Sequence, residues 1–219
     1  LGTIMLQEDE RVAAERQIKV QAVTDELSRL PNRRAFYARL SEEWQRNARY
    51  HVPFCVLMID IDRFKSINDR FGHQVGDDVI THLGGILRDS CRTSDLPARL
   101  GGEEFAILLT HTEPHAAKVL AERIRDRVET SDCILSGRRV AYTASIGVSS
   151  SEDFPLSPDE VVSAADAALY ESKRDGRNRV SLASPGIDES IREVNCRVAV
   201  ATSFAPAPRK PGSDTRPIR

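Results

Sequence analysis

Residues 99–109 read Arg-Leu-Gly-Gly-Glu-Glu-Phe-Ala-Ile-Leu-Leu. An apolar run, a glycine pair and a second apolar run specify a β-hairpin more sharply than any other segment of this chain. Gly101 and Gly102 can take positive φ without steric cost, so the turn can be tight and its backbone can approach a ligand. Glu103 and Glu104 then stand together at the tip. Adjacent carboxylates on an exposed tip repel unless a cation or a donor-rich ligand joins them. The conflict points to a site that binds a metal and phosphate.

A second acidic element lies upstream. Phe54-Cys-Val-Leu-Met-Ile59 is an unbroken apolar run, read here as a central strand over 51–61 covered on both faces. It ends in Asp60-Ile61-Asp62, whose alternation puts Asp60 and Asp62 on one face. Alone, such a pair is more simply a solvated strand end with an Asp cap. With Glu103 and Glu104 on a strand able to pair beside it, three or four acids are expected to converge, a donor set suited to Mg²⁺.

The remaining pattern interleaves helices and strands. Helices are expected over 32–49 (Asn32 as N-cap), 75–92, 113–130 (Pro114 in the first turn) and from Ser157-Pro-Asp-Glu160, a capping box, to Gly176. A second hairpin is expected at 134–140, its return strand continuing through 148, and a short strand at 178–182. The fold class is α/β (α+β): a mixed, mostly antiparallel central sheet flanked by helices. Residues 1–24 read as a linker helix and residues 184–219, rich in Pro, Arg and Ser, as a disordered tail around a domain at 25–183.

Composition narrows the function classes. A formal net charge of −2 gives no basic field for nucleic acid. No apolar run reaches spanning length, and the spacing of the four cysteines fits neither a disulfide framework nor a metal knuckle, so a reduced, cytoplasmic setting is expected. The first residue is Leu1, which suggests a piece of a longer protein with upstream sensory or regulatory domains.

Several further residues have plain structural readings when taken singly. Lys65 is a surface lysine, Asn68 a turn residue and Asp77 a first-turn helix acid. Lys173 and Arg177 sit where a helix C-terminus favours cations. Arg92-Thr-Ser-Asp95 is a local ion pair.

Taken in order, however, these motifs resemble one family. Asp25-Glu-Leu-Ser-Arg-Leu-Pro-Asn-Arg-Arg34, Asp60-Ile-Asp-Arg-Phe-Lys-Ser-Ile-Asn-Asp69, Phe71-Gly-His-x-x-Gly-Asp77, Arg99-Leu-Gly-Gly-Glu-Glu-Phe105, Ser145-Ile-Gly-Val148 and Ala164 to Asn178 are similar to the GGDEF domains of diguanylate cyclases, here in the Gly-Gly-Glu-Glu-Phe form. The resemblance implies a fold like the palm domain of nucleotidyl cyclases. The implied reaction joins two GTP into cyclic di-GMP, with loss of two pyrophosphates, in a homodimer.

It implies Mg²⁺, with Mn²⁺ as an alternative, held by Asp60, the Ile61 carbonyl, Glu103 and Glu104. Glu104 is also linked to activation of the ribose 3′-hydroxyl. It places Lys65, Lys173 and Arg177 on phosphate, Phe64 in the substrate site, and Asn68 and Asp77 on guanine. Arg92 and Asp95, supported by Arg123, match an inhibitory site for the product. A degenerate domain that only binds GTP or cyclic di-GMP is the alternative. One departure lies in the opening motif, where Ser28-Arg29 stands in place of a more usual Thr-Gly; the change is expected to touch only a turn.

Overall fold

The structure is a computed structural model that describes residues 23–131, 133–135, 138–153 and 157–184. The expected linker helix over 1–24 and the tail from 184 fall almost wholly outside these residues.

The elements follow in the order α1 (Arg33–Tyr50), β1 (Phe54–Ile61), α2 (Phe64–Phe71), α3 (His73–Ser90), β2 (Leu96–Gly101), β3 (Glu104–Thr110), α4 (Pro114–Thr130), β4 (Ile134–Leu135), β5 (Arg138–Arg139), β6 (Ala144–Ser150), α5 (Pro158–Arg174) and β7 (Val180–Leu182). Five strands form the main sheet in the order β2-β3-β1-β6-β7, antiparallel except for the β6–β7 pair. This is the mixed, mostly antiparallel sheet that the sequence predicts.

β1 is central and buried along its whole length. Its alternation divides the core in two. Cys55, Leu57, Ile59 and Ile61 pack with Val79, Leu83 and Leu87 of α3 and Ala121, Ile124 and Val128 of α4. Phe54, Val56 and Met58 pack with Phe36 and Leu40 of α1 and Val161, Ala165 and Leu169 of α5 on the other face. On that second face α5 comes unusually close to the sheet. A Cβ at Gly147 would fall onto the Ala165 carbonyl and the Leu169 amide, so only glycine admits the helix at this distance.

Two helix starts form as expected. Asn32 Oδ1 accepts from the Ala35 amide at 3.1 Å, and Ser157 Oγ accepts from the Glu160 amide at 3.2 Å. Three expectations are corrected. β1 begins at Phe54, because His51 ends α1 in a left-handed conformation (φ +53°). The segment 64–71 is a helix of its own; its N-cap, Arg63, makes no side-chain cap bond, so the usual start signal is missing. The return strand of the 134–140 hairpin does not run on to 148, since β5 pairs only with β4 and β6 is a separate strand in the main sheet. Among the described residues no helix is long and apolar enough to cross a membrane.

Candidate functional site

The hairpin forms as β2–β3, with a bulge between Arg99 and Gly101. Gly101 and Gly102 have φ of +151° and +51°, and a Cβ at either would meet nothing within 4 Å, so backbone conformation, not crowding, calls for glycine here. Arg99 fixes the turn from below. Its Nε and Nη2 donate to the Gly102 carbonyl at 3.0 and 2.8 Å, while its Nη1 meets Asp25 at 3.0 Å. Asp25 also accepts from the Ser28 amide and hydroxyl, both at 2.8 Å. Burial pushes the Asp25 carboxyl up, but the Ser28 and Arg99 donors together outweigh it and hold the group below its ordinary range. Arg99 is thus a positioning residue that reading the motif did not single out; its only signal is a basic residue just before a Gly-Gly turn.

Pairing of β1 with β3 sets Asp60 directly opposite Glu104, and the Ile61 amide donates to the Glu103 carbonyl at 3.4 Å. Asp60 continues the Phe54, Val56, Met58 face and so meets α5, where Lys173 Nζ lies 2.8 Å from Asp60 Oδ2. The Asp60 carboxyl is pushed up to about 6: burial raises it most, Lys173 pulls it down, and the Glu103 and Glu104 charges raise it further. Glu104 is exposed at the tip.

Asp62 does something else. Its oxygens accept from Thr143 Oγ1 at 2.7 Å, Ser145 Oγ at 2.6 Å and the Asn178 amide at 3.0 Å. It ties the segments before β6 and after α5 to the end of β1. Among the described residues no three His, Cys, Asp or Glu side chains are gathered as a metal cluster. Of the expected acids, Asp62 is engaged by Thr143, Ser145 and Asn178, while Asp60 is buried with the charges of Glu103 and Glu104 acting on it. That set fits Mg²⁺, which commonly takes one or two carboxylates and completes its shell with phosphate oxygens and water. A buried carboxylate with a raised pKa is stabilised by any cation that reaches it.

The other expected residues stand in different surroundings. Lys65 is exposed on α2. Phe64 packs its side chain into the core, leaving its backbone at the start of α2. Asn68 on α2 and Asp77 on α3 are half-buried, and Asn68 Oδ1 is enclosed without a hydrogen-bond partner among the described residues. Arg177 is exposed just past α5, and the left-handed Arg177–Asn178 pair turns the chain toward β7. Asn178 Nδ2 donates to Glu129 at 2.8 Å and Arg125 donates to Asn178 Oδ1 at 3.1 Å, which fastens this turn to α4.

Arg92, Asp95 and Arg123 gather in one open groove of about 600 Å³, bordered also by Ser90, His111 and His115. Asp95 Oδ2 accepts from the Arg92 amide at 3.0 Å, and Asp95 Oδ1 is enclosed without a partner among the described residues. Arg123 donates to the Ser90 carbonyl at 3.2 Å. The groove lies at the start of β2, and the Gly-Gly turn lies at its end.

Comparison with known proteins matches residues 22–179 to the family model described as diguanylate cyclase, GGDEF domain. The chain is 42% identical over 174 residues to probable diguanylate cyclase DgcT of Escherichia coli, covering 77% of this chain and 37% of that protein. It is 38% identical over 177 residues to diguanylate cyclase A of Treponema denticola, covering 80% of this chain and 48% of that one. The chain thus spans less than half the length of these curated relatives. Among solved structures, the coiled coil and GGDEF domain of DgcB from Caulobacter crescentus in complex with c-di-GMP aligns with a TM-score of 0.77 at 32% identity, covering 83% of this chain and 96% of that one. The active GGEEF domain of a diguanylate cyclase from Vibrio cholerae aligns at 0.68 and 34% identity, covering 72% and 99%.

Proposed function

As a member of the GGDEF family, this chain, we propose, is a diguanylate cyclase that joins two GTP into cyclic di-GMP with release of two pyrophosphates. The observation that carries the reading is the cross-strand pair of Asp60 and Glu104 beside the Gly-Gly turn, with Lys173 on Asp60. It supplies acid, base and cation within one small region.

Asp60, the Ile61 carbonyl and Glu103 would hold Mg²⁺, or Mn²⁺ in its place, whose chemistry there is to neutralise the triphosphate and polarise the α-phosphate. The protein's own groups do the rest. Asn68 and Asp77 offer acceptors to the N–H edge of guanine. Lys65, Lys173 and Arg177 bring positive charge to the triphosphate and offset the charge that grows on departing pyrophosphate. The start of α2 adds backbone N–H groups and the positive end of its dipole. Glu104, exposed and free to swing, takes the proton of the 3′-hydroxyl as it attacks the α-phosphate of the facing nucleotide.

One domain presents one such half-site, so turnover needs two copies facing each other across a two-fold axis. Product returning to the Arg92–Asp95–Arg123 groove would restrain that approach; arginine suits phosphate or guanine, and the unpartnered Asp95 oxygen suits a guanine N–H.

The test is incubation of a dimeric preparation with GTP and Mg²⁺, followed by chromatography of the products. Cyclic di-GMP should accumulate, then stall as product builds up. Glu104→Ala should lower the rate by about a hundredfold or more without changing the melting temperature. Arg92→Ala should remove the stall. No cyclic di-GMP from a demonstrably dimeric sample would refute the reading, and an unchanged stall in Arg92→Ala would refute the groove.

A further inference from the structure

Gly76 sits in the first turn of α3, where it meets α2. A Cβ there would occupy the space now filled by Asn68 Oδ1, and would lie 3.0 Å from Asn68 Cγ and 3.2 Å from Phe64 Cζ. Gly76 has no left-handed backbone to explain it, unlike its neighbour Gly72 at φ +86°. Glycine is a poorer helix former than alanine, so something other than helix formation calls for it.

Room for the Asn68 carboxamide is what it provides. The same oxygen is enclosed and lacks a hydrogen-bond partner among the described residues. A buried acceptor without a donor is expensive unless a ligand brings one. Phe64 closes the other side and is itself 8% exposed in the core, so a methyl at 76 could not be absorbed by moving the ring. The soft torsion is that of the Asn68 amide, which would rotate away.

We infer that Gly76 is a positioning residue for base recognition: its missing side chain gives the Asn68 carboxamide the space it occupies against α3, and so sets the amide that meets the edge of a guanine nucleotide. The inference rests on the proposed diguanylate cyclase reading. It concerns how the base is gripped and leaves the phosphates untouched.

A double-mutant cycle over Gly76→Ala and Asn68→Ala tests it. The probes are 3′-deoxyguanosine triphosphate, which binds but lacks the attacking hydroxyl, and inorganic tripolyphosphate, which lacks the base; both are titrated with Mg²⁺. Gly76→Ala should weaken the nucleotide about tenfold and leave tripolyphosphate unchanged. The double variant should bind the nucleotide no more weakly than Asn68→Ala alone. Unchanged nucleotide affinity, equal weakening of both probes, or additive losses would each overturn the inference.

If Gly76→Ala alone does not fold, the double variant, which removes the colliding amide, should. Its failure to fold would place the requirement on packing against Phe64 and also overturn the inference. A wild-type protein that binds tripolyphosphate but shows no preference for the guanine nucleotide would instead refute the functional reading beneath it.

Discussion

Arg29 occupies left-handed backbone space, at φ +59°, in the turn between Asp25 and Leu30. A residue with a Cβ pays about 1–2 kcal/mol for that conformation, and Arg29 is exposed with no burial to offset it. Arg29→Gly should therefore stabilise the domain by up to about 1 kcal/mol, after allowing for the entropy that glycine adds to the unfolded chain, and raise the melting temperature by a few degrees. Thermal melts at matched pH check this; a lower melting temperature would contradict it. The departure at this position was legible in the sequence, but its physical content, a side chain held at positive φ, is a backbone property that only the structure gives. Asp62 was half legible in the same way. Alternation put it on the Asp60 face, yet its partners Thr143, Ser145 and Asn178 stand 81 to 116 residues away, beyond any local pattern.

Lys173 makes a related argument about charge. In the structure it is the cation on Asp60, so a divalent ion bound at that carboxylate would have to share or displace it. Lys173→Ala leaves a buried carboxylate beside two glutamates, so it should destabilise the metal-free protein by about 1–3 kcal/mol. Added Mg²⁺ should then raise the melting temperature more in Lys173→Ala than in the wild type, even as turnover falls. Equal Mg²⁺ shifts in both proteins would argue against a shared site.

Among elements, the β2–β3 hairpin shows how a loop far from the tip sets its geometry. Gly102, Arg99, Asp25 and Ser28 form a chain of hydrogen bonds from the turn to the segment before α1. Asp25 is held below its ordinary range, so it binds a proton more readily in the unfolded chain than in the folded one. Its contribution is fully present above about pH 4 and is lost as the pH falls through the lowered value. Asp25→Asn should cost about 1–2 kcal/mol at neutral pH, a gap that should close as the pH falls through the lowered Asp25 value and the wild type loses the same interaction. Denaturant titrations of both proteins across this range measure it; a gap that persists undiminished at low pH would disprove it. The hairpin itself was readable because its signal is contiguous. The 64–71 helix was not, because it is short and opens on Arg63 at φ +55° with no side-chain cap.

At the scale of the molecule, the sheet puts the Asp60–Glu104 pair at one end of its central strands, with Lys173 on Asp60. On the proposed reading a lone copy would hold one nucleotide and activate one hydroxyl, whereas a cyclic dinucleotide needs two bonds made in opposite directions. The proposed chemistry is therefore second order in protein wherever the dimer is weak, and specific activity should rise with protein concentration until dimers saturate. Mixing makes the stronger test. If wild type and Glu104→Ala pair at random in equal amounts, about a quarter of the dimers carry two intact half-sites, so cyclic di-GMP formation should fall to about a quarter of the all-wild-type rate at the same total protein. The mixed dimers have one competent hydroxyl and should release the singly joined linear dinucleotide, which chromatography separates from the cyclic product. A rate that falls only to half, with no linear product, would mean that each chain completes the reaction by itself, and the half-site reading of the Gly-Gly-Glu-Glu turn would have to be abandoned.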